Sequence, residues 1–253
     1  MQAHQVAVLL AAGFGAGAVN AAAGGGSLIS FPALIATGLP PKIANVTNSV
    51  AVCPGYLASV AGSWRDVGGE RRTLVRLLPT IALGTATGCA LLLVTSAEAF
   101  ERVVPFLVLA AAAVLAFQDR LKALVGHPHQ MSTRKRAFAL HGLVGLGCVY
   151  GGYFGAALGV MLVAVLGLLV SGSLRQITAM KNVVSAAEGL VTIAYFAVFA
   201  DVEWTAVALL APATIAGGYA GARIARRIPQ RILRAGIVAY AVLIAVVLFV
   251  RAF

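Results

Sequence analysis

Charged residues are scarce in this chain. Only 11% of its 253 residues are Asp, Glu, Lys or Arg, whereas a soluble domain carries roughly 25%. The first 41 residues contain none of these four residue types. Hydrophobic residues make up 60% of the sequence. These proportions exclude a soluble globular domain and indicate an all-α, multi-pass membrane protein whose surroundings are the lipid bilayer.

Other absences narrow the function. Three cysteines in apolar runs have no metal-ligand spacing, so neither a disulfide nor a metal site is expected. A nucleotide-binding loop, a His-Glu-x-x-His motif and a recognisable Ser–His pair are all missing. We therefore expect no cofactor and no enzyme activity. The net charge of +11 lies in short loops rather than in a free basic domain, so nucleic acid is not an expected partner.

Apolar segments follow one another along the whole chain, and most are near the roughly 20 residues that a membrane span needs. The second and seventh are short and flanked by glycine, so they are half-helices, re-entrant segments or thin spans. We predict ten segments, of which 8–10 lie in the membrane, at residues 4–22, 25–38, 44–62, 74–95, 102–117, 137–153, 156–171, 177–199, 204–222 and 233–251.

Basic residues set the predicted orientation. Fourteen of the 19 Lys and Arg residues fall in three loops, at residues 64–76, 118–136 and 223–234. Cytoplasmic loops of membrane proteins are enriched in Lys and Arg. We therefore place these loops in the cytoplasm and both termini outside the cell. The N-terminal segment lacks the positive start of a signal peptide, so we interpret it as the first transmembrane segment.

This orientation divides the chain into two halves of five segments with opposite topology, which is the signature of an inverted repeat. A weak internal match supports it: with an offset of 134 residues, Gly38 matches Gly172, Asn48 matches Asn182, and Gly55 matches Gly189. We predict a first transmembrane repeat at 1–120, a cytoplasmic linker at 121–136, and a second repeat at 137–253.

The stretch Gly24-Gly25-Gly26-Ser27 interrupts an apolar run and predicts a broken helix at membrane depth. Free backbone N–H groups and the positive end of the following helix would then face an anion, with the Ser27 hydroxyl as a further donor. The alternative is close helix packing, for which small residues are also common in membranes. A looser glycine cluster, from Gly151-Gly152 to Gly159, occupies the corresponding place in the second half.

Polar side chains inside apolar segments are the other candidates for substrate binding. They are Asn20, Thr47, Asn48, Lys181 and Asn182, with helix–helix hydrogen bonding as the alternative role for the amides. Glu188 lies two turns beyond Lys181, too far for direct contact. A carboxyl group at this depth is a candidate for proton coupling or for a structural hydrogen bond.

Three further side chains lie near segment ends. Lys42 and Arg175 precede the third and eighth segments, where they either attract anions to a vestibule or are solvated loop charges. His141 opens the sixth segment and is interpreted as an interfacial residue or, alternatively, as part of a proton relay.

A series of short motifs runs in order along nearly the whole chain. They are Gly13-Phe14, Asn20, Gly24-Gly25-Gly26-Ser27, Pro32, Gly38-Leu39-Pro40-Pro41, Ala44 and Asn48, and then Gly142-Leu143-Val144-Gly145, Gly151-Gly152-Tyr153-Phe154-Gly155, Gly159 and Asp201-Val202-Glu203-Trp204. In these motifs the chain resembles the TauE/SafE family of sulfite and organosulfonate exporters. This resemblance implies a bacterial inner-membrane permease for a small, sulfur-containing anionic substrate such as sulfite or a sulfonate. A homodimer is compatible with this resemblance.

Two other functions are compatible with the same segments. A passive anion channel would line a continuous pore with the same residues. An intramembrane enzyme would need a nucleophile with a base, or a metal cluster, and His141 alone cannot supply both roles. A secondary transporter working by alternating access is the function that the sequence favours.

Overall fold

A computed structural model describes residues 2–22, 24–117, 119–120, 132–224 and 230–252. Within these ranges the chain forms ten long helices and no strand, which confirms the all-α class. The helices are α1 (Ala3–Ala22), α2 (Ser27–Ala36), α3 (Pro41–Ser63), α4 (Arg71–Val94), α5 (Ala97–Ala116), α6 (Thr133–Tyr153), α7 (Leu158–Leu169), α8 (Leu174–Phe199), α9 (Trp204–Ile224) and α10 (Gln230–Ala252). A 3₁₀ helix, Trp64–Glu70, joins α3 to α4. Each predicted apolar segment corresponds to one of the ten helices.

Local capping explains where several helices begin. The hydroxyl of Ser96 accepts a hydrogen bond from the N–H of Ala99, and Ser173 accepts one from Gln176 in the same way at α8. Such caps satisfy backbone donors that the first turn leaves unpaired. Helix α3 begins with Pro41, whose missing N–H is harmless at a first helical position.

Four helical stretches in the described residues are long and apolar enough to cross a membrane. They are Ala3–Ala21, the continuous stretch Pro41–Val94 (α3 and α4 with the 3₁₀ helix), Ala97–Ala116 and Leu174–Phe199. Helices α2 and α7 are shorter apolar helices of 10 and 12 residues, as predicted for the second and seventh segments. Large apolar side chains such as Leu83 and Val94 are exposed on the outside, as expected for a surface that meets lipid.

The two sets of five helices pack in a reciprocal way. Helix α1 packs on α9, and its counterpart α6 packs on α4; α3 packs on α8, and α5 on α10. Each short helix contacts the helices on either side of it in its own set. This reciprocity is what a two-fold relation between the halves would produce. The opposite orientation of the halves across the membrane stays a prediction.

Two of the three basic loops meet at one end of the molecule. Arg76, at the start of α4, and Arg136, at the start of α6, line the same cavity. At that end Asp66 in the 3₁₀ helix forms a 2.8 Å ion pair with Arg175. Residues 121–131 of the predicted linker and 225–229 of the third loop lie outside the described residues.

Candidate functional site

The break between α1 and α2 lies at the predicted glycine stretch. Gly24 has a φ of +83°, which glycine adopts without the steric penalty of a β-carbon. Its N–H donates to the carbonyl of Val19 at 3.0 Å, and the N–H of Gly26 donates to Oδ1 of Asn20 at 2.8 Å. In this conformation two of the three glycine amides are therefore satisfied within the protein.

The glycines also allow very close packing. A β-carbon at Gly26 would collide with the carbonyl oxygen of Ala16 on α1, and one at Gly25 would lie 3.3 Å from the side chain of Leu115. Helix packing, the alternative to an anion role, thus accounts for these positions. The anion role of Gly24, Gly25 and Gly26 stays a prediction, and it requires a conformation in which their N–H groups are free.

Asn20 and Ser27 meet at this break as part of a polar cluster. Both side chains are buried, and both interact with the hydroxyl of Tyr56 from α3. Tyr56 was not among the predicted site residues, because a tyrosine in an apolar segment carries no distinctive signal. The cluster of Asn20, Ser27 and Tyr56 gives the first break three neutral hydrogen-bonding groups in a water-poor setting.

The second break lies between α6 and α7, at residues 154–157, within the predicted glycine cluster that runs from Gly151 to Gly159. Gly155 has a φ of +72°, and Ala157 has a φ of +60°. The hydroxyl of Tyr150 donates to the carbonyl of Ala156 at 2.7 Å and satisfies one backbone acceptor of the turn. Gly152 lies inside α6, where a β-carbon would collide with the carbonyl oxygen of Thr85 on α4.

The two breaks are in direct contact. A β-carbon at Gly24 would lie 3.0 Å from the Cα of Gly159, at the start of α7. The aliphatic stem of Lys181 covers the same point, because a β-carbon at Gly159 would lie 3.3 Å from its Cδ. The structure therefore brings together the glycine breaks of both halves and the buried lysine that was predicted to bind substrate.

Lys181 and Glu188 are both buried, with exposed fractions of 3% and 6%. No ion pair joins them, as their spacing on α8 predicts, and the described residues offer Lys181 no other ion-pair partner. Glu188 Oε1 accepts a hydrogen bond from the hydroxyl of Thr192 at 3.2 Å. It also lies against α6, since a β-carbon at Gly151 would be 3.1 Å away. The carboxyl group thus lies beside α6, one turn before the second break.

Thr47 and Asn48 already have partners within the protein. Asn48 Oδ1 accepts a hydrogen bond from Ser30 on α2 at 2.5 Å. The Thr47 hydroxyl accepts one from the N–H of Glu203, just before α9, at 3.0 Å. In this conformation both residues join α3 to neighbouring elements, which is the helix–helix role that the sequence left open. Their binding of substrate stays a prediction.

Asn182 lies at a cavity. Its Nδ2 donates to the hydroxyl of Ser63 at 3.0 Å, while its buried Oδ1 has no partner among the described residues. The cavity, of about 240 Å³, is also lined by Ser59, Ser63 and Thr178, at the ends of α3 and α8 where the basic 3₁₀ loop lies. A buried acceptor without a donor is costly, so water or a substrate that enters this cavity would satisfy it.

Asn45 is a site candidate that the sequence analysis missed. Its Nδ2 donates to the carbonyl of Tyr153 at the end of α6, at 2.9 Å, and its buried Oδ1 has no partner in the described part of the chain. Asn45 precedes Asn48 by three residues and lies on nearly the same helical face. The spacing of the two amides was the signal that could have identified it.

Lys42 and Arg175 do not line either break. Lys42 Nζ donates to the carbonyls of Leu93 and Thr95, at 3.0 and 2.6 Å, and so caps the C-terminal end of α4. The prediction of a solvated loop charge is therefore wrong for Lys42, because the end of a neighbouring helix supplies acceptors. Arg175 has an 80% exposed side chain, paired with Asp66. His141 Nδ1 lies 2.6 Å from the hydroxyl of Thr80 on α4.

Comparison with known proteins agrees with this architecture. The sulfite exporter TauE/SafE family matches residues 9–248. A probable membrane transporter protein of Haemophilus influenzae is 28% identical over 222 residues, which cover 87% of this chain and 84% of the relative. The probable membrane transporter protein YfcA of Escherichia coli K12 is 26% identical over 88% of this chain and 81% of its own length. The probable membrane transporter protein ORF9 of a Sinorhizobium species is 25% identical, with coverages of 96% and 92%. No solved structure matches the chain.

Proposed function

The chain belongs to the sulfite exporter TauE/SafE family and is a multi-pass membrane transporter; from that premise we propose that it is a secondary transporter of a small sulfur-containing anion. Sulfite, a sulfonate or a similar anion would cross the bacterial inner membrane by alternating access. The halves 1–120 and 137–253 would form an inverted repeat and rock against each other around the two helix breaks.

One observation carries this proposal: Lys181 is buried at the point where the two breaks touch, without an ion-pair partner among the described residues. A charge at membrane depth costs at least a few kcal/mol, roughly 2.5–3.5 on insertion scales. An anionic substrate would supply the missing opposite charge during each transport cycle. Lys181 is thus the residue on which the anion would be held.

The polar groups around the breaks would complete the site. Asn20 and Ser27 belong to the first break, and each binds neighbouring protein groups in the present conformation. Movement of one half against the other would separate these groups and free them to bind oxygen atoms of the substrate. Asn182 would meet the anion at the cavity beside Ser63.

Glu188 is our candidate for proton coupling. Its carboxyl group is buried beside Gly151, one turn before the second break, and accepts a hydrogen bond from the hydroxyl of Thr192. A negative carboxylate near an anion path would repel the substrate, whereas a protonated carboxyl group would not. Proton uptake and release by Glu188 would then be linked to anion binding.

Counterflow in proteoliposomes tests the proposal. Purified protein is reconstituted with unlabelled sulfite inside, and entry of radiolabelled sulfite is measured, with taurine, sulfoacetate, thiosulfate and sulfate as competitors. A carrier accumulates label transiently against its gradient, while a passive channel does not. Absence of counterflow for sulfite, and for each of the other anions when that anion is the labelled one, would contradict the proposal.

The Lys181→Met variant sharpens this test, because methionine keeps much of the apolar stem and removes the charge. A hydrogen bond to a charged group is worth roughly 1.5–3 kcal/mol, so counterflow should fall about 10- to 150-fold. The thermal midpoint should hold or rise, because an unpaired buried charge is gone. Arg175→Gln removes an exposed charge from the same helix and should change counterflow less than about threefold. Equal activity of the Met variant and the unmutated protein would exclude Lys181 as the anion ligand.

A further inference from the structure

A second cavity lies between the beginnings of α4 and α6, away from the two breaks. Its volume is about 160 Å³, and it shares no lining residue with the cavity at Asn182. Two arginines, a histidine and a threonine supply its polar lining: Arg76, Arg136, His141 and Thr73. Pockets that enclose drug-sized ligands measure roughly 300–1,000 Å³, so this one suits a smaller group.

The cavity is strongly basic. Arg76 and Arg136 both line it, and neither forms an ion pair with another described residue. Guanidinium groups bind phosphate through paired N–H donors. His141 adds a third donor when the Thr80 hydroxyl donates to its Nδ1, since the hydrogen of the neutral ring is then on Nε2. A tetrahedral, anionic group matches this set of donors.

Beside the exposed charges of Arg72 and Lys135, the surface around the cavity carries outward-facing apolar side chains. Val75 and Leu78 on α4 are 64% and 45% exposed, and Phe138 on α6 is 69% exposed. In a membrane protein these side chains lie where acyl chains can cover them. The basic cavity also contains residues of two loops that the positive-inside pattern places at the cytoplasmic face. A phosphate held there would therefore be attached to chains that lie along α4 and α6.

We propose that this cavity binds the phosphate headgroup of an anionic phospholipid of the cytoplasmic leaflet. Basic pockets between transmembrane helices on this side are suited to such headgroups. Arg76 and Arg136 would hold the phosphate, and Val75, Leu78 and Phe138 would contact its acyl chains. Helices α4 and α6 come from different halves, so the lipid would bridge the two halves at their contact. The proposal is independent of the transported substrate.

Native mass spectrometry of the detergent-purified protein tests the site. Binding of phosphatidylglycerol is compared with that of phosphatidylcholine with the same acyl chains. The double variant Arg76→Gln/Arg136→Gln should lose at least about tenfold in phosphatidylglycerol affinity. The control Arg72→Gln/Lys135→Gln removes the same charge from neighbouring exposed positions outside the cavity. It should lose less than about threefold.

Further variants and ligands distinguish a phospholipid site from diffuse surface charge and from a site for soluble phosphate. The variant Arg76→Lys/Arg136→Lys keeps the charge but not the paired donors, so we expect an intermediate loss of phosphatidylglycerol affinity. This variant also tests the site if the Gln variant does not fold. Equal losses in the cavity and control variants would overturn the proposal in favour of diffuse surface charge. Inorganic phosphate and glycerol 3-phosphate are tested by thermal shift. Stabilisation by these soluble anions that depends on Arg76 and Arg136, without preferential lipid binding, would also overturn it.

Discussion

The two helix breaks occupy corresponding places in the two halves but are built differently. The first uses three consecutive glycines and the amide of Asn20, which accepts a hydrogen bond from Gly26. The second uses Gly155 and Ala157, and it buries the aromatic ring of Phe154. One break is closed by close backbone contact and hydrogen bonds, the other largely by aromatic packing.

The aromatic packing ties the second break to the first half. Phe154 meets Phe31 of α2 edge to face, with ring centroids 5.3 Å apart, and also packs near Phe100 and Tyr150. The carboxyl group of Glu188, from α8, lies beside Gly151, which precedes this break by one turn. Two breaks at corresponding places can therefore differ in chemistry. The first has neutral hydrogen-bonding groups, whereas the second has aromatic rings and a nearby carboxyl group.

The largest loss of stability is expected from Gly26→Ala, at the first break. The new β-carbon would collide with the carbonyl oxygen of Ala16 and lie 2.8 Å from Asn20 Cγ. Overpacking typically costs 1–3 kcal/mol of stability, and we expect a clash with the backbone to cost about 3 kcal/mol or more. We expect a large fall in the thermal midpoint of the detergent-purified protein. Gly142→Ala has open space around it and should be neutral or slightly stabilising; equal effects of the two variants would contradict the close contact.

Asn20→Ala should have the next largest effect, because it leaves the buried N–H of Gly26 without its acceptor. Such a loss costs about 1–3 kcal/mol. Tyr150→Phe removes the hydrogen bond to Ala156 at the second break and should cost about 1 kcal/mol. Thermal unfolding of both variants measures the difference between a break closed by polar contacts and one closed by packing. A larger loss in Tyr150→Phe would reverse our account of the two breaks.

Glu188→Gln separates coupling from transport. Glutamine keeps an oxygen that can accept from Thr192, so the fold should be retained. We expect proton-driven sulfite movement to fall about tenfold, whereas counterflow, which needs no net proton transfer, should change less than about threefold. Transport driven by an imposed pH gradient is compared with counterflow in the same proteoliposomes. A variant that keeps its full response to the gradient would exclude Glu188 as the coupling group.

The smallest change in stability is expected from Ala157→Gly, which should stabilise the protein rather than destabilise it. The left-handed conformation costs a non-glycine residue roughly 1–2 kcal/mol, and glycine would remove this cost. The greater flexibility of glycine in the unfolded chain offsets about 0.5–1 kcal/mol of the gain. A stabilisation of about 0.5–1 kcal/mol should result. Ala156→Gly, at the neighbouring position without a positive φ, should destabilise by a similar amount. Destabilisation by both would show that Ala157 is not strained.

Each apolar segment predicts one helix, but some helices begin at other residues than their segments. Helix α5 begins at Ala97 rather than at residue 102. Glu98 lies before the predicted segment, yet it is helical and forms a 2.6 Å ion pair with Arg102, one turn further along the helix that Ser96 caps. At α6 the basic run Arg134-Lys135-Arg136 is likewise helical. Charged residues therefore mark where the apolar span begins, whereas the capping residue determines where the helix begins.

The helix breaks could be predicted from the sequence more readily than the contacts of the candidate residues, whose binding of substrate stays a prediction. The glycine break and the buried Lys181 follow from sequence, because bare backbone and charge are both exceptional in an apolar run. The partners of Asn48 and Asn182 did not follow. The two residues match in the repeat, yet Asn48 binds Ser30 and Asn182 binds Ser63, because neighbouring helices differ at these positions.

The sequence by itself determined that this chain is helical, crosses the membrane repeatedly and breaks its helices at two corresponding places. These properties depend on composition and on local backbone preference, which short stretches carry on their own. Tertiary structure alone decided that Gly24 touches Gly159 and that Lys181 covers their contact. It also decided that Arg76 and Arg136 share a cavity. Such contacts join residues on different helices that are distant in the sequence, and only the packing of whole helices fixes which side chains meet.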